Sequence, residues 1–145
     1  MIVAVIGGNF CSQEIARIAY EVGKRIAQRK HILICGGLGG VMEAACRGAK
    51  DGGGLTIGIL PGKDKTEANR FVDIPIVTAM SYARNAIITR TADVLVAVDG
   101  KYGTLSEIGL ALGTGKKVVG INTWDIEGII SVGSVDEAME KIEKV

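Results

Sequence analysis

The feature that most constrains this chain is a repeated unit: a short β-branched run, a glycine turn, then an apolar stripe at helical spacing. Residues 2–6 read Ile-Val-Ala-Val-Ile and run into Gly7-Gly8-Asn9. A helix then begins near Ser12, a suitable N-cap, and sets Ile15, Ile18, Ala19, Val22 and Ile26 on one face. The unit recurs at 32–35, which leads into Gly36-Gly37-Leu38-Gly39-Gly40 and a helix over 41–50. Further strands are expected at 55–60, 74–77, 94–98 and 118–121, with a polar surface loop over 63–73. Helices are expected around 82–90, from Thr104 to 113–115, and after Ser134, where Ser134-Val-Asp-Glu137 fits a capping box. Strand, glycine turn and helix in alternation specify βαβ units and a parallel sheet covered on both faces. The fold expected is α/β: a single doubly wound Rossmann-like domain over residues 1–145, with a mainly parallel sheet of six to seven strands.

Ligands of such sheets bind at the carboxyl ends of the strands, near the point where strand order reverses. Three glycine clusters fall at those ends: 7–8, 36–40 and 100–103. The chain has 21 glycines in 145 residues, about twice average usage, so these clusters ask for a local reason. Close approach of backbone to a ligand is one.

Charge and cysteine content narrow the partners. Seventeen basic against sixteen acidic residues give a net charge of +1, far from the basic footprint of a nucleic-acid binder. No run of like charge marks a membrane surface. Three cysteines, Cys11, Cys35 and Cys46, with one histidine, His31, make a poor disulfide framework and a poor metal site. The opening residues carry no charged n-region and no long apolar stretch. A cytoplasmic protein with a small ligand, no metal and no membrane or nucleic-acid partner is expected.

Familiar nucleotide fingerprints fail. G-x-G-x-x-G begins at Gly37 and Gly39 but meets Met42 at its last position, and Gly62-Lys63 lacks the rest of a Walker motif. No G-x-S-x-G is present. What remains is a glycine turn entering a helix, twice. Such turns offer backbone N–H groups and the positive end of the helix dipole to an anion.

Three segments carry a resemblance. Cys35-Gly-Gly-Leu-Gly-Gly-Val-Met-Glu43 is similar to the GGG-x-x-G-L-M segment of the LOG-like (Lonely Guy) proteins. Asp99-Gly-Lys-Tyr-Gly-Thr-Leu-Ser-Glu107 resembles their P-G-G-x-G-T-x-x-E motif. Met80-Ser-Tyr-Ala-Arg84 lies where they carry M-x-x-R-K. Within the superfamily, the short length and the Ala83-Arg84-Asn85 segment look most like the branch of molybdenum-cofactor carrier proteins. The resemblance implies a homo-oligomer, dimer or tetramer, that binds a small phosphorylated nucleotide-like ligand.

Two functions follow from it. One is a carrier or sensor that needs no cofactor of its own and takes molybdenum cofactor as cargo. The other is a phosphoribohydrolase that cleaves the N-glycosidic bond of a nucleoside 5′-monophosphate, and not a lysine decarboxylase. The resemblance makes Arg84 and Glu107 the catalytic pair of the enzyme reading. Ligand and phosphate binding falls to Gly7, Gly8, Gly36, Gly37, Gly39, Gly40, Met80, Gly100, Lys101, Gly103 and Thr104.

Several of these residues also have ordinary structural roles. Thr104-Leu-Ser-Glu107 is a capping box as well as a motif, and Arg84 alone reads as a surface helix arginine. Asp99 and Lys101 depart from the motif's Pro and Gly: the carboxylate would repel a phosphate, the ammonium would attract one, or the two would pair together. Cys35 and Cys46 are expected in the core, and Cys11 could face the ligand.

Overall fold

The computed structural model describes residues 1–145. Seven strands form one fully parallel sheet: β1 (Ile2–Gly7), β2 (Ile32–Cys35), β3 (Thr56–Leu60), β4 (Ile74–Val77), β5 (Val94–Val98), β6 (Lys117–Ile121) and β7 (Ile129–Val132). Their order is β4-β3-β2-β1-β5-β6-β7, so strand order reverses between β1 and β5. The helices are α1 (Gln13–Gln28), α2 (Gly40–Asp51), α3 (Asn85–Thr91), α4 (Tyr102–Gly113) and α5 (Val135–Glu143).

Alternation along the central strands builds two cores. Val3 and Val5 of β1 and Val94, Val96 and Val98 of β5 face α1, α2 and α5. Ala4 and Ile6, with Leu95 and Ala97, face α3 and α4 instead. Side chains of successive strand residues point to opposite faces, so aliphatic residues at every position mean burial on both sides. This is the doubly wound α/β arrangement the sequence predicts.

The caps form as expected at two helices. Ser12 Oγ accepts from Ile15 N at 3.2 Å, and Ser134 Oγ accepts from Glu137 N at 3.2 Å. Glu137 reaches back to Gly133 N, also at 3.2 Å, one residue beyond the position of a standard box. Glycines also bring α1 and α2 together: a Cβ on Gly23 would strike the Ala45 carbonyl, and one on Gly48 the Tyr20 carbonyl. That crossing fixes where α2 begins, and α2 begins at the site.

Two connections carry no α-helix. β3 joins β4 through a single 3-10 turn at Lys65–Glu67, and β6 joins β7 through 122–128. The second connection covers its core face with Trp124 and Ile126. No helix is long and apolar enough to cross a membrane.

Candidate functional site

A cavity of about 330 Å³ opens at the carboxyl ends of β1, β2 and β5, where strand order reverses. That size suits a small ligand. Of the residues expected to bind, Gly7, Gly8, Gly36, Gly100, Lys101, Gly103 and Thr104 line it, together with the expected catalytic pair Arg84 and Glu107.

The β2–α2 loop contributes less of its surface. Gly37, Gly39, Gly40 and Met80 lie outside the lining. Three amides of this loop are occupied within the fold: Gly37 N donates to Cys35 Sγ, Gly39 N to Asn9 Oδ1 at 2.7 Å, and Val41 N to the Gly8 carbonyl at 3.0 Å. Gly40 is left-handed (φ 59°), and a Cβ there would strike the Gly8 carbonyl. These glycines let two loops pack against each other. Met80 is exposed just ahead of the short 3-10 helix Ser81–Arg84.

The β5–α4 loop is different. Asp99 (φ 52°) and Gly100 (φ 100°) both take the left-handed region, which Asp tolerates better than most side chains. The helix then starts at Tyr102 with Lys101 as its N-cap and no side-chain cap bond. The backbone amides of Gly100, Lys101, Tyr102, Gly103 and Thr104 donate to no protein acceptor. Thr104 Oγ1 is buried without a hydrogen-bond partner, in a residue only 2% exposed. A buried hydroxyl left unpaired costs free energy, and this one sits beside free amides at a helix N-terminus.

The early start of α4 overturns the capping-box reading of Thr104 and Glu107. Thr104 lies in the first turn rather than at the cap, so Glu107 has no N-cap amide to reach. Its carboxyl instead faces the cavity, 7% exposed as a residue and without a hydrogen bond from the protein. Burial pushes Glu107 up to about 8, against the pull of the Arg84 charge. Burial therefore favours the neutral form of Glu107, an acid able to give a proton.

Arg84 is buried, not a surface arginine: 7% of it is exposed. Nε donates to the Ile59 carbonyl at 2.8 Å, Nη2 to the Gly36 carbonyl at 3.4 Å, and Nη1 to Asn85 Oδ1. Asn85 is in turn held by Nδ2 donating to Ser106 Oγ at 3.0 Å. The guanidinium is thus oriented by the ends of β2 and β3 and tied to α4. Burial lowers its pKa, while the Glu107 carboxyl works the other way. No ion pair joins Arg84 to Glu107, or Asp99 to Lys101.

The cysteines divide. Cys35 and Cys46 are buried with their sulfurs 3.5 Å apart, as core residues. Cys11 is half-buried outside the cavity lining, and burial and the Asp99 charge raise its thiol. Asn9, Phe10, Tyr82 and Asn85 line the cavity, although none of them has a binding role expected from the sequence. Asn9 directly after a glycine pair at a strand end is the one with a legible signal.

The chain matches the SLOG cluster4 family over residues 1–145. It is 53% identical over 121 residues to an uncharacterised protein of Archaeoglobus fulgidus, covering 83% of this chain and 80% of that one. It is 32% identical over 149 residues to a cytokinin riboside 5′-monophosphate phosphoribohydrolase of Mycobacterium tuberculosis, covering 89% and 79% of the two. The molybdenum cofactor binding protein from Rippkaea orientalis has a similar structure, with a TM-score of 0.94 at 35% identity over 99% of this chain and 95% of that one.

Proposed function

This chain belongs to the SLOG cluster4 family, and we propose that it binds a phosphorylated, nucleotide-like ligand in the cavity between β1, β2 and β5, as a carrier or sensor. One observation carries the reading: the unpaired amides of Gly100 to Thr104 with the buried, unpartnered Thr104 hydroxyl. A phosphate oxygen accepts from such groups and gains from the helix dipole. Lys101 stands exposed on the same rim, free of any ion pair, and adds charge attraction. The likeness to the Rippkaea protein makes molybdenum cofactor one cargo to test.

A second reading is favoured by Glu107. A neutral carboxyl in the cavity with a fixed guanidinium beside it suits hydrolysis of a nucleoside 5′-monophosphate, the chemistry in the name of the Mycobacterium relative. Glu107 would protonate the departing base as the C1′–N bond breaks and its electron pair moves to the base. Water oxygen would bond to C1′ and pass its proton to the Glu107 carboxylate, restoring the acid and leaving free base and ribose 5-phosphate.

A panel of nucleoside monophosphates separates the two readings, with free base assayed beside thermal melting. A ligand-induced melting shift without base release supports the carrier. Base release that disappears in Glu107→Gln supports the enzyme, and release that survives the substitution removes Glu107 from catalysis. A lack of base release with every nucleoside monophosphate refutes the enzyme, and a lack of melting shift with these and with a phosphorylated pterin refutes the carrier.

We also propose that copies of the chain associate through the outer face of α4. Tyr102, Ser106, Gly109, Leu110 and Gly113 are exposed there, and that face carries no charge. Light scattering of the eluted protein tests it, with a monomer as the refuting result.

A further inference from the structure

We infer that Phe10 and Tyr82 form a stacking subsite for a planar heteroaromatic ring, so that the cavity selects ring-bearing phosphate esters over simple sugar phosphates. The inference rests on the phosphate reading of the β5–α4 loop.

Aromatic side chains are scarce here: two Phe, three Tyr and one Trp in 145 residues. Most have partners. Tyr20 donates to Asp51, Phe71 packs on the larger core, and the rings of Tyr102 and Trp124 lie 6.2 Å apart. Phe10 and Tyr82 are the two that line the cavity, and they stand 88% and 76% exposed. A phenyl ring left in water forgoes its burial energy. Such a ring on the lip of a cavity gains that energy when a flat ligand covers it.

The backbone on either side of both residues is anchored. Phe10 follows Asn9, whose side chain is fixed by the Gly39 amide. Tyr82 follows two non-glycine residues in the left-handed region, Ala79 (φ 55°) and Ser81 (φ 51°). Residues of this kind avoid that region unless the surroundings impose it, and imposed strain of this sort gathers at ligand clamps. Here Ala79 N donates to the Gly62 carbonyl at 2.8 Å, Ser81 N to the Pro61 carbonyl at 2.9 Å, and Thr78 Oγ1 to the Leu60 carbonyl at 2.7 Å. The same short 3-10 helix carries Arg84 into the cavity. The cavity therefore has a polar floor at Thr104, Arg84 and Glu107 and aromatic groups at its mouth.

Stacking recognises a π-face, whether it belongs to a purine or to a pterin. Isothermal titration of the full chain with ribose 5-phosphate, adenosine 5′-monophosphate and a phosphorylated pterin distinguishes the two. At least one ring-bearing phosphate should bind roughly 10-fold tighter than ribose 5-phosphate. Phe10→Ala and Tyr82→Ala should each weaken that compound by roughly 5- to 100-fold, a stacking loss per ring, and leave ribose 5-phosphate unchanged. Tyr82→Phe should retain the affinity. Both side chains are exposed, so unchanged melting temperatures confirm folding. Equal affinity for all three compounds, or alanine variants that leave the ring-bearing ones unaffected, overturns the subsite and spares the phosphate reading. Binding of none of the three overturns both.

Discussion

Replacing Glu107 by Gln should flatten the pH dependence of this protein's stability. In the folded chain burial pushes the carboxyl up to about 8, from 4.5 in the absence of that burial. Between those values the folded state holds a proton that the unfolded chain has lost, so unfolding releases one. Stability then falls as pH rises, by about 1.4 kcal/mol per pH unit. The penalty is absent below about pH 4.5 and complete above about pH 8. From pH 5 to pH 8 it amounts to roughly 3 to 4 kcal/mol, a large share of the 5–15 kcal/mol that holds an ordinary domain together.

Glutamine keeps the shape of the neutral acid and has no proton to lose. Urea denaturation of both proteins at pH 5, 6, 7 and 8 isolates the effect, because every other ionisable group titrates in both and cancels in the difference. The variant should gain on the native chain by that amount across the range, roughly 10 °C in melting temperature. A difference that stays constant with pH would refute the reasoning. It would mean that the folded carboxyl is ionised throughout, solvated or paired with Arg84.

Two further substitutions separate binding from packing in the β5–α4 loop. Thr104→Val removes a buried hydroxyl that has no partner, so denaturation should show the variant about 1 kcal/mol more stable, while calorimetry shows weaker binding of ribose 5-phosphate. Gly103→Ala adds a Cβ that meets no atom within 4 Å. Stability should hold within about 0.5 kcal/mol, and affinity for the same phosphate should drop because the methyl group stands where the ligand approaches.

The centre of the sheet is legible in the sequence because β1, β2 and β5 are aliphatic on both faces and run into glycine turns. β7 is less legible: Ile129–Val132 is a half-buried edge strand that includes Ser131, entered through Gly128 without a preceding helix. The α4 start was masked for a different reason. Thr104 and Glu107 satisfy a capping pattern, but the left-handed turn at Asp99-Gly100 lets the helix begin two residues sooner. Glu107 is thereby free of the cap and faces the cavity. Arg84 looked like a surface residue because its role depends on carbonyls of Gly36 and Ile59, far away in the chain. The glycine cluster at 36–40 was visible as a cluster, whereas its occupied amides depend on Asn9 and Gly8 from the neighbouring loop.

Asp99 shows how far this chain has moved from the P-G-G-x-G-T-x-x-E motif it resembles. Its φ of 52° is closed to proline, whose ring holds φ near −65°. Its amide also donates to the Ile121 carbonyl at 3.1 Å, bonding the strand end to β6, and its carbonyl accepts from Thr123 Oγ1 at 2.7 Å. Asp99→Pro should therefore destabilise the protein by about 3 kcal/mol or more, through lost hydrogen bonding and an impossible backbone angle. Asp99→Gly, which accepts the angle and keeps the amide, should cost far less. Denaturation midpoints of the pair test this, and equal stabilities would refute the assigned conformation. The expected result carries a consequence for function. Restoring the motif's proline alone cannot restore the motif's loop, because the free amides of 100–104 are presented by a turn that proline forbids.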